Sequence, residues 1–272
     1  MNRSLVILSF FLTSFSLLAE KPLVFDPAHL EEISLEADKI SKREISVFSD
    51  EKLLEIAYKF YGDEVNVGGK ISDESLLKSF KTEHLLMTTH KIFRERYGDI
   101  ILDKPMWVWN NVGTVFARSL VLYCSSKEYI VLFGTQIPQE GFSGYYTGMD
   151  VWDVMLSGRM LSNGTSGNSA LVHDYQLGTT SLLKKKETRF YSMDEYTYMI
   201  DYGRGNIAKA FYQGIIAPAL FVNHDMQSLK TQLKQCGIET IKNMFKKKTQ
   251  SDFKQSETKR ANILEFMEKE SN

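Results

Sequence analysis

The sequence predicts an α+β protein in which a β-rich centre is flanked by helices. Three observations lead there. Apolar residues recur at helical spacing between Leu30 and Phe93. Between Trp107 and Tyr202 the apolar runs shorten, fill with aromatic and β-branched residues, and are punctuated by Gly, Asn, Ser and Pro. Helical spacing then returns from Ile207. At 272 residues, 43% hydrophobic and 25% charged, the chain has an ordinary globular composition. It is long enough for one large domain with appendages. A formal net charge of -1 excludes a global field that would draw nucleic acid, and the 12% aromatic content suits an aromatic-lined pocket.

Taken in order, residues 1–19 stand apart. Arg3 precedes an apolar run from Leu5 to Leu18, and Ala19 comes before Glu20-Lys21. The run is shorter than the roughly 20 residues of a membrane span and fits the core of a secretory signal. Leu17 occupies a position where cleavage prefers a small residue, so a signal peptide and a retained N-terminal membrane anchor both stay open. Either reading places the rest of the chain outside the cytoplasm. Residues 20–105 read as helical. Asp26-Pro27 starts a helix carrying Leu30, Ile33 and Leu35. A second helix over 50–61 ends at Gly62, and a third begins after Ser72 with Asp73 and Glu74 in its first turn.

Residues 106–205 hold the short β-type segments, whose spacing suits a small barrel or a sandwich without choosing between them. The stretch from Thr179 to Tyr191 reads as one such segment. Residues 206–245 read as an amphipathic helix pair, the first around Ile207, Phe211, Ile215 and Pro218, the second from Met226 to Phe245 with Leu229, Leu233, Ile238 and Ile241 on one face. Such a pair can lie in a membrane interface or cap the end of the β-domain. Residues 246–272 form a tail of mixed charge.

Chemistry concentrates on two acids. On a strand, Asp153 shares its face with Val151 and Met155, with Trp152, Val154 and Leu156 opposite; Asp201 shares its face with Met199 and Thr197, opposite Ile200 and Tyr202. Neither strand has a clearly polar face, so both acids read as buried, which is costly unless they are paired or protonated. Brought together, they would hold one proton between them. As structural acids, they would bond to backbone or be held by Arg204 or Arg189. Five scattered histidines show no metal-ligand spacing, and Gly141-Phe-Ser-Gly144 lacks the strand–turn–helix setting of a hydrolase nucleophile. Cys124 and Cys236 are far apart and read as two small buried thiols. Asn163-Gly-Thr165 is a glycosylation sequon that matters only in a eukaryotic secretory host.

Several short motifs occur in one order: Glu128-Tyr-Ile-Val-Leu-Phe-Gly-Thr135, Gly141-Phe-Ser-Gly144, Asp153 followed by Ser157-Gly158, Val172-His173, and Asp201-Tyr-Gly-Arg-Gly205. Together they resemble the family that joins the sterol delta-8 to delta-7 isomerases with the sigma non-opioid receptor. The resemblance runs from about Trp107 to Phe245. It implies a cupin-like β-barrel enclosing an apolar pocket, with Asp153 and Asp201 as the catalytic or ligand-binding pair and Tyr129, Phe133, Tyr146 and His173 lining the pocket. Glu128 would serve the barrel by bonding backbone. The implied activity is a double-bond shift in a sterol without cofactor or metal: a protonated carboxyl gives H+ to the ring alkene and a carboxylate removes a neighbouring proton. Asp201 would stand nearest the developing cation, with Asp153 as its proton-sharing partner. The alternative implied is a sigma-receptor-like binder of amphipathic amines or sterols without chemistry. The resemblance also implies that the helix pair rests on a membrane surface, that the barrels trimerise, and that the location is the endoplasmic reticulum membrane in a eukaryote or the envelope side in a bacterium. Departures are present. Asp201 stands where the family usually has Glu, Tyr145 replaces a basic residue, and the segment holding Lys184 to Lys186 is longer.

Overall fold

The computed structural model describes residues 23–67, 69–164 and 171–245. The signal or anchor expected over 1–19, the tail over 246–272, Thr165 of the sequon, and the side chains of Ile238, Ile241 and Phe245 lie outside the described residues.

Among the described residues, three helices come first. Helix α1 spans Pro27–Ile45, with Asp26 as its N-cap accepting from the Ala28 N–H at 2.9 Å. Helix α2 spans Asp50–Tyr61 under a Ser49 cap and stops at Gly62, whose φ of 53° a side chain would resist. Helix α3 spans Asp73–Tyr97, capped by Ser72 accepting from the Ser75 N–H at 3.1 Å. The boundaries follow the caps written in the sequence.

Among the described residues, ten strands follow in two antiparallel sheets: β1 Trp107–Val112, β2 Val115–Cys124, β3 Glu128–Thr135, β4 Gln139–Phe142, β5 Met149–Ser157, β6 Met160–Gly164, β7 Val172–Tyr175, β8 Thr180–Leu183, β9 Arg189–Met193 and β10 Thr197–Gly205. The larger sheet runs β1-β2-β3-β10-β5-β8 and the smaller β4-β9-β6-β7. The fold is therefore α+β with a two-sheet antiparallel sandwich. The expected barrel is corrected to two separate sheets, which touch where the Thr114 N–H of the β1–β2 turn donates to the Phe142 carbonyl of β4 at 3.1 Å.

The large sheet is covered on both faces. One face packs on α1 and α3, where Leu30, Ile33 and Phe93 meet Leu132, Val154 and Ile200. The other looks toward the small sheet, with Phe133, Met155 and Met199 meeting Met160 and Met193. That is why the central strands lack the alternation of a half-exposed sheet. At the domain's N-terminal edge, the Glu128 carboxylate accepts from the Val24 N–H at 2.7 Å and the Tyr202 hydroxyl at 3.1 Å. The resemblance implied such a backbone-holding role.

The segment read as one strand over Thr179 to Tyr191 is two, and the division matters. The run Lys184-Lys-Lys186 cannot be buried between layers, and Lys186 adopts φ 68°. There the chain leaves the large sheet at β8 and enters the small one at β9, which sets Arg189 across from β5.

The C-terminal helices are α4 Ile207–Phe211, a π-helical turn at Tyr212–Ile216, α5 Ala217–Phe221 and α6 Met226–Phe245. Pro218 has no N–H to give to the preceding turn, and the wider π turn just before it accommodates that loss. Ile207, Phe211, Ile216 and Leu229 are buried in one cluster with Val121, Met149 and Leu183, so the helices cap one end of the sandwich. Helix α6 returns along β2 and brings Cys236 to Cys124, Cα to Cα 5.2 Å, in a disulfide. This corrects the expectation of two free thiols. Among the described residues no helix is long and apolar enough to cross a membrane.

Candidate functional site

Strands β5 and β10 pair so that Asp153 lies directly opposite Asp201. On the outer sides of this pair, Asp201 faces Val131 of β3 and Asp153 faces Ser181 of β8. Both acids share the sheet face that looks toward β9, because Val154, Ile200 and Tyr202 fill the face against the helices. They line a cavity of about 50 Å³ between the sheets. Its apolar wall includes Val112, Phe133, Met149, Val151, Met160 and Met199, and its polar groups come from Tyr129, Tyr146, Tyr191, Arg189 and the two acids.

Each acid has its own partner. The Tyr129 hydroxyl donates to Asp201 Oδ1 at 3.0 Å. Tyr129 reaches it by lying across Gly203, its partner in the β3–β10 ladder, and a Cβ at Gly203 would overlap the Tyr129 ring. The glycine in Asp201-Tyr-Gly-Arg-Gly205 is thus the space that aims a tyrosine at the acid two residues earlier. Asp153, 9% exposed, is ion-paired through Oδ2 to Arg189 Nη2. Arg189, 7% exposed, also donates from Nη1 to Ser181 Oγ. Its backbone is fixed by Ser143: the Arg189 N–H donates to Ser143 Oγ at 3.0 Å and the Ser143 N–H donates to the Arg189 carbonyl at 2.9 Å. The serine of Gly141-Phe-Ser-Gly144 therefore works as a brace.

The electrostatics separate the two acids. Burial raises the pKa of Asp153, and the Arg189 charge and hydrogen bond pull it back. Burial raises Asp201 well above the usual carboxylate range, and the neighbouring Asp153 charge raises it further, with the Tyr129 hydrogen bond only partly opposing. Burial pushes Tyr129 up, followed by the Asp201 charge, and does the same to Tyr146. Both acids are shifted upward, and Asp201, without a cationic partner of its own, holds its proton more strongly than the Arg189-paired Asp153. Such a set can donate a proton, accept one a few ångströms away, or bind a polar head group in an apolar hollow.

Of the residues singled out by sequence, Asp153, Asp201, Tyr129, Phe133 and Tyr146 all line this cavity. His173 does not, which corrects its expected place: it sits exposed on β7, the edge of the small sheet, with its ring 6.2 Å from that of Tyr175. Among the described residues, edge strand β7 pairs only with β6. Arg204, considered as a holder of the acids, is exposed. Arg189, the other residue considered as a holder of the acids, does hold Asp153; the sequence did not place it on the cavity wall, although a cation opening the aromatic run Arg189-Phe-Tyr191 was an available signal. Among the described residues, no cluster of three His, Cys, Asp or Glu could hold a metal ion.

Comparison with known proteins gives one family. A family model described as ERG2 and Sigma1 receptor like protein matches residues 43–248. C-8 sterol isomerase ERG2 of Gibberella zeae is 30% identical over 154 residues, 57% of this chain and 64% of that protein. Protein erg2 homolog of Dictyostelium discoideum is 28% identical over 57% of this chain and 65% of its own length. Sigma non-opioid intracellular receptor 1 of Gallus gallus is 30% identical over 48% of this chain and 58% of its length. The matched region thus spans less than two thirds of each of these relatives. Among solved structures, a cupin superfamily protein from Desulfitobacterium hafniense overlies 32% of this chain and 74% of its own, with a TM-score of 0.27 and 14% identity.

Proposed function

This chain belongs to the ERG2 and Sigma1 receptor like family, and from that premise we propose that it shifts a ring double bond in a sterol or a related polycyclic isoprenoid. The observation that carries the reading is the direct opposition of Asp153 and Asp201 across β5 and β10 inside a buried cavity, with one acid paired to a cation and the other not. In the proposed reaction the alkene π pair takes the proton of Asp201, leaving a carboxylate and a tertiary carbocation. The Asp153 carboxylate then removes a proton from a neighbouring carbon, and that C–H electron pair becomes the new double bond. The proton returns from Asp153 to Asp201 across the ladder and resets the pair. Positioned proton transfer of this kind contributes about 10²–10⁴-fold in rate. Two carboxylates flanking the cation supply electrostatic stabilisation as it forms.

Size bears on the mechanism. Ligand pockets usually enclose about 300–1,000 Å³, whereas this cavity holds about 50 Å³. Sterol entry therefore requires the capping helices or the methionine-rich wall to give way. Met149, Met160 and Met199 are unbranched side chains suited to that movement. Tyr212, Phe221, Val222 and Met226 of the capping helices are exposed, and we propose that they meet a membrane surface from which such a ligand would enter.

A second reading is favoured by the sigma receptor relative, as similar in sequence as the isomerase. An acid pair without a reacting alkene would bind an amphipathic amine by a charge-assisted hydrogen bond. Expression in a strain lacking the isomerase, with sterols profiled by mass spectrometry, separates the two. Delta-7 product from the wild type, and none from Asp201→Asn, supports catalysis. Well-folded wild-type protein that leaves the delta-8 sterol untouched removes the enzyme reading.

A further inference from the structure

We infer that the turn Lys184–Lys186 is a cationic contact for the headgroups of an anionic lipid surface, so that the capped end of the sandwich chooses by charge the membrane it meets. The inference rests on the reading above that the capping helices meet a membrane, and it names the lipid class. All three lysines are exposed, and the chain places them at the cap. Leu183, just before them, is buried in one cluster with Ile207, Ala210 and Phe211 of α4. The Lys186 N–H donates to the Tyr146 carbonyl at 2.6 Å, and the carbonyl of neighbouring Tyr145 accepts from Gln213 Nε2 at 3.5 Å. Exposed Lys209 of α4 borders the same loop, where a Cβ at Gly148 would touch its stem. Four cations therefore adjoin the exposed rings of Tyr145 and Tyr212.

The turn holds these charges outward. Its two acids bond to backbone: the Lys184 N–H donates to Glu187 Oε2 at 3.2 Å and the Lys185 N–H to Asp150 Oδ1 at 2.7 Å. Among the described residues, none of the three ammoniums has an ion-pair partner. Lys186 also takes φ 68°, the left-handed region that glycine enters without steric cost and a side chain resists. A lysine in that conformation gives up local stability and leaves a cation at the tip of the turn. Charge complementarity then names the partner. Ammonium groups on flexible stems, next to exposed tyrosines and to a cap that presents Phe221, Val222 and Met226, match a surface with phosphate outside and acyl chains beneath. The whole chain carries -1, so the attraction is local to this end.

The test titrates the full chain with phosphatidylcholine vesicles, with and without phosphatidylglycerol, as wild type, as the triple variant Lys184→Gln/Lys185→Gln/Lys186→Gln, and as Lys186→Gly. The wild type should bind the anionic vesicles more tightly, and added KCl should erase the difference. One lysine near an anionic surface contributes about fivefold in affinity. The triple variant should therefore lose on the order of a hundredfold for anionic vesicles and keep its affinity for neutral ones. Lys186→Gly should lose about fivefold on anionic vesicles and melt no lower than the wild type, a combination that damage to the fold would not produce. Residues 1–19 are the same in every variant and cannot cause these differences. A wild type without preference, or a triple variant that keeps it, overturns the role of the turn while leaving the cap as a membrane contact. A folded wild type that binds neither kind of vesicle overturns the inference together with the membrane reading beneath it.

Discussion

Replacing either acid of the pair by asparagine should change stability in opposite directions. Asp153→Asn leaves the buried Arg189 without its carboxylate partner. Breaking a buried ion pair by removing one side costs about 3–5 kcal/mol, a large part of the 5–15 kcal/mol that holds a typical domain. Asp201→Asn removes a carboxyl that burial and the Asp153 charge keep protonated, and the amide oxygen can still accept from Tyr129. A group whose folded pKa is raised contributes its full stability below the unfolded value of 3.8 and loses it as pH rises toward the folded value. Over that window the wild type should lose up to about 1.4 kcal/mol per pH unit from this site. The asparagine variant has no such slope. Urea unfolding at pH 5 and at pH 7.5 reads both effects. Asp153→Asn should be destabilised at pH 5. Asp201→Asn should gain on the wild type as pH rises above 3.8 toward the folded value, so its relative stability should be greater at pH 7.5 than at pH 5 or equal at the two, never smaller. Two variants destabilised alike, or an Asp201→Asn deficit that grows with pH, would refute the assignment of charge to Asp153 and proton to Asp201.

Other expectations follow from the same geometry. Tyr129→Phe removes the 3.0 Å hydrogen bond to Asp201 and should cost about 1 kcal/mol in unfolding free energy; a double-mutant cycle with Asp201→Asn should show coupling, and simple additivity would contradict the contact. Gly203→Ala forces a methyl into the Tyr129 ring, so it should cost about 1–3 kcal/mol and weaken ligand binding, with unchanged melting as the contrary result. The Cys124–Cys236 bridge closes a separation of 112 residues, and Cys236→Ser should cost about 2–4 kcal/mol. Thiols of the oxidised native protein that react with maleimide in the absence of reductant would contradict the bridge.

The helical region was legible because its ends carry local signals: the Asp26 and Ser72 side-chain caps with Pro27 and Asp73-Glu74, and the backbone turn at Gly62, each acting within one turn of the chain. The burial of the acids was legible too, since a strand covered on both faces writes apolar residues on both sides of Asp153 and Asp201. What escaped depends on long-range placement. A spacing of segments does not say whether a sheet closes on itself, so the sandwich could not be told from a barrel. That Arg189 rather than Arg204 holds Asp153 was left open, because it depends on the lysine run moving the chain from one sheet to the other. The disulfide forms because α6 folds back along β2. His173 was placed by a motif alone, and an edge strand leaves it in solvent.

The account depends most on where one proton sits, and carbon-13 NMR of the aspartate side-chain carboxyls through a pH titration observes that directly. Asp153 should ionise ahead of Asp201, and Asp201 should still show a protonated carboxyl signal well above the ordinary carboxylate range, its midpoint falling in Asp153→Asn as the neighbouring charge is removed. Two carboxyls that titrate independently near pH 4 would contradict it.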